Sequence, residues 1–446
     1  MPSTLSALTK PSLAAASQRD VGLTRAIGPW ALAASIVNVV VGAGIFAVPA
    51  ALAANVGTYA PLAFLVCAVV VASVAICFAE GGSRIPTSGG AYGYVNAAFG
   101  PLAGYVSGTS LWFSNALACG GIAAALGELA GTLFPPPFRS TVHVVSIVGV
   151  IGGMALVNLG GVSRGTRLVT AATVLKLIPL AVFVIAGAGA IQRSNFAPGE
   201  RAGGVDLGRA LILALFTFTG METPLSASGE VKEPARTIPR ALAISIAFTT
   251  ALYVAIQLIA QGILGSSLAH SEAPLADAMA RIGPGVRFLM LTGAAVSMFG
   301  WIGSDMLGTP RVLFAFARDG LLPRPLGRVH ASTAAPHVAI LSYAALVIAL
   351  ALTGTFAELA VLSTLCVAVL YSAGCAAAFR LARTGVALAG VPLNFRWLGI
   401  AAAFSILSMV VLVALASRAE IIGLLAVVTL SAGVYLLQTW LRRTRA

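Results

Sequence analysis

The chain has 446 residues, of which 59% are hydrophobic and only 9% charged, with a formal net charge of +13. A soluble domain carries about 25% charged residues, so the composition excludes an ordinary globular protein and points to a multi-pass protein of the lipid bilayer. The positive balance does not call for nucleic acid as a partner, because the charges sit in short loops between apolar spans, as the positive-inside rule expects.

Residues 1–25 read as a cytoplasmic N-terminal tail: Met1 to Asp20 is polar and Ala-rich, without a cleavable apolar core. From Ala26 to Ala79 there is no Asp, Glu, Lys or Arg, and a helical span needs roughly 20 apolar residues, so two spans fit there. The whole chain predicts an all-α fold with twelve transmembrane helices at 27–54, 59–81, 94–133, 142–160, 167–190, 208–229, 239–264, 288–318, 336–354, 357–381, 396–416 and 421–441. The third is long for one span. Pro86-Thr-Ser-Gly-Gly90 precedes it as a loop, and Phe134-Pro-Pro-Pro137 ends it.

Orientation follows from the basic residues. With the N-terminus inside, 19 of them fall on the cytoplasmic side, 7 outside, and Lys176 within a span. Both termini are therefore expected in the cytoplasm, in a plasma membrane (the inner membrane if the source is bacterial).

The first span contains Val37-Asn-Val-Val-Val-Gly-Ala-Gly-Ile-Phe-Ala-Val-Pro49. Glycine inside a helix costs about 1 kcal/mol relative to alanine, so Gly42 and Gly44 flanking Ala43, with Pro49 beyond, predict a break. The sixth span reads Leu215-Phe-Thr-Phe-Thr-Gly-Met-Glu-Thr-Pro224, with Gly220 and Pro224 as breakers. Matching interruptions in two halves point to a transporter binding site. The halves would be 26–190 (helices one to five) and 191–383 (helices six to ten). Five is odd, so the second half starts from the opposite side of the membrane and the repeats are inverted. Residues 384–446 hold helices eleven and twelve and the C-terminus. A broken helix offers free amides at the start of one half and free carbonyls at the end of the other. Such a pair of ends holds a ligand that is negative at one end and positive at the other, as an amino acid is.

Three charged residues lie deep in spans, and each is a functional hypothesis by default. Lys176 either snorkels to the cytoplasmic face or stands as a fixed, proton-exchanging cation facing the carbonyls of the broken first helix. Glu222 either caps the amides after the second break or takes part in proton or substrate binding. Asp305 holds a substrate cation, pairs with a basic residue such as Arg311, or sits protonated. Phe216, four residues before Gly220, is a candidate gate. Trp112, Asn115 and Cys119 share a helix face, with Ser114 beside them; helix packing accounts for any one of them equally well. The charged segments 229–240 and 311–330 close the inner pathway or serve only as anchored positive loops.

The five cysteines (Cys67, Cys77, Cys119, Cys366, Cys375) fall within apolar spans without metal-ligand spacing, so no metal or cofactor is expected. His143, His270, His330 and His337 lie in loops or near span ends, and no nucleophile–base set appears, so an enzyme is not expected.

Four motifs in this order resemble those of the amino acid-polyamine-organocation transporters: Gly42-Ala-Gly-Ile-Phe46 with Pro49; Pro86-Thr-Ser-Gly-Gly-Ala-Tyr92 leading to Phe99-Gly-Pro101; Phe218-Thr-Gly-Met-Glu222 with Glu230-Val-Lys-Glu-Pro234; and Arg318-Asp-Gly-Leu-Leu-Pro323 followed by Pro336. The resemblance covers essentially all twelve spans. It implies a five-plus-five inverted repeat (LeuT-like) with discontinuous helices 1 and 6, and alternating access. It implies that a substrate carboxylate meets the amides of Ala43, Gly44 and Ile45, and that the amine meets carbonyls near Val40, Phe216 and Thr219. Phe216 matches the family's aromatic gate. Lys176 matches a lysine that stands where sodium-coupled relatives bind their ion, which implies sodium independence. Asp305 departs from the neutral or aromatic residue many members have there.

The expected function is sodium-independent secondary active transport of amino acids, by proton symport or exchange, in a monomer or homodimer. Substrate binding is expected at Val40, Gly42, Ala43, Gly44, Ile45, Ser114, Asn115, Cys119, Phe216, Thr219, Gly220 and Asp305, with Lys176 and Glu222 in ion coupling. A cationic amino acid or polyamine exchanger is the alternative within transport. A non-transporting amino acid sensor or partner-dependent subunit is the alternative of another class.

Overall fold

The computed structural model describes residues 25–42, 44–86, 90–160, 175–196, 206–226, 228–318, 320–330, 335–388 and 391–444. Residues 1–24 of the expected tail, Ala43, residues 87–89 and the start of the fifth span lie outside them. The described residues are helical apart from loops, short 3-10 turns and one parallel bridge between Ile27 and Val231. In chain order the α-helices are α1 Pro29–Val40, α2 Gly44–Val56, α3 Ala60–Arg84, α4 Gly90–Phe99, α5 Pro101–Gly131, α6 Arg139–Leu159, α7 Leu177–Ala188, α8 Leu207–Phe218, α9 Glu222–Leu225, α10 Pro234–Leu264, α11 Pro274–Ala280, α12 Pro284–Arg318, α13 His337–Thr353, α14 Phe356–Arg383, α15 Leu398–Ala414 and α16 Arg418–Arg443.

Seven helical stretches among the described residues are long and apolar enough to cross a membrane, by length and composition, and five shorter apolar helices accompany them. The outer surface is itself apolar. Ile422, Leu425, Leu430 and Leu436 of α16, Val145 and Leu156 of α6, and Ile185 of α7 are exposed, a surface suited to hydrocarbon rather than water.

One expected boundary changes. The long third span is two helices, α4 and α5, separated at Gly100, whose φ of 87° only glycine adopts readily; Pro101 then opens α5. Pro49 lies inside α2, beyond the interruption that follows α1. Arg84 is the last residue of α3. It is 3% exposed, and its Nε donates to the fully buried Glu80 at 2.7 Å, one helical turn away. Glu80 also accepts the amides of Asn394 and Phe395, at 3.2 and 2.9 Å, and Arg84 Nη2 donates to Asn394 Oδ1 at 2.5 Å. A buried ion pair is tolerable only with its remaining hydrogen-bonding capacity filled, and the chain before α15 fills it.

Inside, the helices pack through small residues and hydroxyls. Ser73 on α3 meets Ser405 on α15 at 2.7 Å, and Ser114 on α5 meets Ser363 on α14 at 2.9 Å. Thr249 and Thr364 return their hydroxyl protons to the carbonyl four residues back. No water is available in hydrocarbon, so such internal partners are the available means of satisfying a polar side chain.

Gly293 sets how close α7 comes to α12: a Cβ there would lie 2.3 Å from Pro179 Cγ and 2.5 Å from its Cβ. Gly293→Ala is expected to overpack this contact and lower stability by about 1–3 kcal/mol, read as a fall in the thermal unfolding midpoint in detergent. An unchanged midpoint would remove this contact as the one that seats α7.

Candidate functional site

The first break starts where α1 runs out of partners. Val41 donates its N–H to Val37 O at 2.8 Å, and Gly42 N reaches back to Val40 O at 2.7 Å. Carbonyls in a helix's last turn lack intrahelical donors and carry the negative end of the dipole. Two side chains supply donors. The Lys176 ammonium, at the N-terminal edge of α7, donates to Asn38 O. The Tyr253 hydroxyl of α10 lies 2.8 Å from Val40 O and 3.0 Å from Thr217 O, so it spans from the end of α1 to the last turn of α8.

The second break is sharper. Thr219 is extended (ψ 157°), Gly220 takes φ 110°, and α9 begins at Glu222. Glu222 Oε2 accepts the Gly220 amide at 3.2 Å and the Tyr371 hydroxyl of α14 at 2.8 Å. The carboxylate thus caps the break and ties it to α14.

The two breaks touch. A Cβ on Gly220 would stand 2.9 Å from Val39 Cγ1, and one on Gly44 would stand 3.3 Å from the Phe216 ring. Gly220 needs glycine for its backbone angle as well as its space, and at Gly44 a side chain would have to displace the Phe216 ring. Phe216 in turn meets Phe356 of α14 edge-on, with centroids 5.8 Å apart.

Two adjoining cavities open beside this contact. The smaller, about 50 Å³, is lined by Val40, Gly42, Gly44, Ser114, Phe216, Thr219 and Gly220, among others. The larger, about 280 Å³, includes Asn38, Tyr92, Lys176, Asp305 and Thr309 in its wall. Val39, Asn115, Glu222, Thr223 and Trp301 line both. The larger volume lies at the lower end of small-molecule pockets, roughly 300–1,000 Å³.

Lys176, Glu222 and Asp305 are all buried. Asp305 Oδ1 accepts from Thr309 Oγ1 at 2.6 Å, Oδ2 accepts from Tyr343 OH at 2.5 Å, and the Cys119 thiol also bonds to it. It makes no pair with Arg311: the ion pairs among the described residues are Glu80–Arg84, Arg209–Glu420 and Glu233–Arg236. The Arg311 Nη atoms are buried without a hydrogen-bond partner.

Most of the residues expected from the sequence therefore gather at the two cavities. Three do not. Ile45 is buried without lining either cavity, Cys119 sits behind Asp305, and Ala43 lies outside the described residues. Of the three carbonyls expected to meet an amine, two already have donors. Val40 O already faces Gly42 N and Tyr253 OH, and Phe216 O faces the Thr219 amide and hydroxyl at 3.2 and 2.7 Å. A carbonyl has two lone pairs: Phe216 O has a donor on each, and Val40 O shares the single Tyr253 proton with Thr217 O. Ser114 lines the small cavity but spends its hydroxyl on Ser363.

Sequence reasoning missed Tyr253, Tyr343, Tyr371 and Trp301. Trp301 covers the first break, its Cδ1 3.0 Å from where a Gly42 Cβ would be. Its only sequence signal is its place one turn before Asp305. The tyrosines lie on other helices, and nothing local marks them.

Comparison with known proteins identifies the family. Residues 27–430 match the family described as amino acid permease. An uncharacterized transporter of Mycobacterium tuberculosis is 34% identical over 70% of each chain. A serine/threonine exchanger of Bacillus subtilis is 29% identical over 72% of this chain and 75% of its own. A branched-chain amino acid permease of the same organism is 26% identical over 73% and 74%. These relatives are transporters rather than enzymes. The chain belongs to the amino acid permease family of the amino acid-polyamine-organocation superfamily and is a multi-pass membrane protein whose family transports amino acids.

Proposed function

We propose that the protein is a sodium-independent secondary transporter of amino acids, working by alternating access through twelve spans arranged as two inverted five-helix repeats, with both termini cytoplasmic. The observation that carries the proposal is the Lys176 ammonium on the Asn38 carbonyl, at the end of a helix whose break touches the second break. A fixed cation there does what a bound sodium ion would do for those carbonyls. The basic residues, 19 against 7, support the orientation.

In this reading the substrate carboxylate seats at the amide end of α2, at Ala43 and Gly44. With donors already on the Val40 and Phe216 carbonyls, the amine turns to the Thr219 carbonyl and to Glu222, which lines both cavities and already accepts neutral donors. The Phe216–Phe356 contact closes one end of the site. The cavity continues past Asn38, Tyr92 and Val312 toward the ends of α1, α4 and α12 that this orientation puts in the cytoplasm, which corresponds to an inward-facing state. Cycling would require α1 to leave the Lys176 and Tyr253 donors and return to them, with protons or a second substrate molecule balancing the exchange.

Uptake of a labelled amino acid into vesicles reconstituted with the protein should persist when sodium is replaced by choline. Abolition by choline would overturn the role given to Lys176. Gly44→Val should reduce uptake by at least about tenfold, because the added methyls enter a space already 3.3 Å from Phe216 and displace substrate by the ~1 Å that can cost 100-fold. Uptake at the parent rate would place the substrate elsewhere.

A further inference from the structure

We infer that Asp305 is the specificity-determining residue of this site and that the preferred substrate is a cationic amino acid, its side-chain ammonium or guanidinium paired with the Asp305 carboxylate. The inference rests on the amino acid reading above and concerns the part of the cavity that reading leaves unfilled.

The two cavities divide the work. The small one holds the helix ends that suit an α-carboxylate and α-amine. The larger one, joined to it past Trp301 and Asn115, holds Asp305. Its charged wall contains two carboxylates, Glu222 and Asp305, and one ammonium, Lys176. Lys176 is directed to Asn38 O, and neither carboxylate has a basic partner among the described residues. Asp305 is held by Thr309, Tyr343 and Cys119, all uncharged donors. They fix the orientation of the carboxylate and leave its charge uncompensated. A carboxylate has about four acceptor positions, so room remains for a further donor from the cavity side. Asn38 Oδ1, in the same cavity wall, is also buried without a donor. An enclosed carboxylate and an unfilled carbonyl acceptor match a ligand that brings several N–H groups and a positive charge. A neutral side chain would leave Asp305 unpaired in a mostly apolar enclosure, a costly arrangement.

The test is thermal unfolding of the purified full-length protein titrated with L-lysine, cadaverine, L-serine and L-leucine. A ligand that binds only the folded state raises the midpoint in proportion to its occupancy. L-lysine should stabilise at lower concentration than the other three. Cadaverine, which is lysine without its carboxylate, should be weaker because it loses the α2 amides. Asp305→Asn should weaken L-lysine by about 30-fold or more, the lower range for removing one member of a desolvated charge pair, whereas Asp305→Glu should keep most of the affinity. Stabilisation by L-serine or L-leucine but not L-lysine would overturn the inference while leaving amino acid binding intact. Cadaverine as strong as L-lysine, or undiminished L-lysine binding by Asp305→Asn, would overturn it as well. Silence from all four ligands would overturn the site reading together with the inference. Should Asp305→Asn fail to fold, the ranking of the four ligands on the parent protein still decides.

Discussion

A helix that ends in the middle of an apolar interior must find donors for its last carbonyls, and this requirement organises the molecule. In water the solvent would supply them. Here α1 stops at Val40, and the donors are an ammonium from the edge of α7 and a hydroxyl from α10. The same hydroxyl reaches Thr217 on α8, so one tyrosine spans the ends of two interrupted helices. Gly220 and Gly44 then let the interruptions approach to contact distance. The result is a pair of opposed helix ends held by side chains from a third and a fourth helix.

Such an arrangement rests on few bonds. The donors that hold α1 are single hydrogen bonds, and interhelical bonds of this kind in membranes contribute only about 0.6–2 kcal/mol each. Movement of α1 away from α7 and α10 is therefore affordable if other groups take over the carbonyls. The ion pair of Glu80 and Arg84 has the opposite character. It is buried, filled on every side by the chain before α15, and costly to break. It fixes α3 to α15, whereas the contacts around α1 are few and separable.

The legible part of the sequence was what backbone chemistry forces. Glycine clusters at Gly42 to Gly44 and at Gly220 identified both breaks, and the lone intramembrane charges Lys176, Glu222 and Asp305 all line the cavity wall. The break at Gly100 was hidden, because Phe99-Gly-Pro101 interrupts a run whose hydropathy continues on both sides. The burial of Arg84 was not legible, because a charge at a span end looks the same whether it faces water or a buried carboxylate; the Glu80 to Arg84 spacing of one helical turn was the available signal. Tyr253, Tyr343 and Tyr371 were beyond reach. Each acts through its hydroxyl on a partner 36 to 213 positions away, and such pairings exist only once the helices are packed.

The most direct measurement is hydrogen–deuterium exchange across Ile36–Phe46 in the intact protein and in Lys176→Ala, with α15 as an internal control. If the ammonium holds the end of α1, its removal leaves the Asn38 carbonyl without a donor and loosens the last turn. Amides of that segment should then exchange at least about tenfold faster, the factor that corresponds to losing roughly 1.4 kcal/mol of local protection, while α15 is unchanged. Equal exchange in the two proteins would contradict the account and leave Lys176 a buried charge without a part in holding the broken helix.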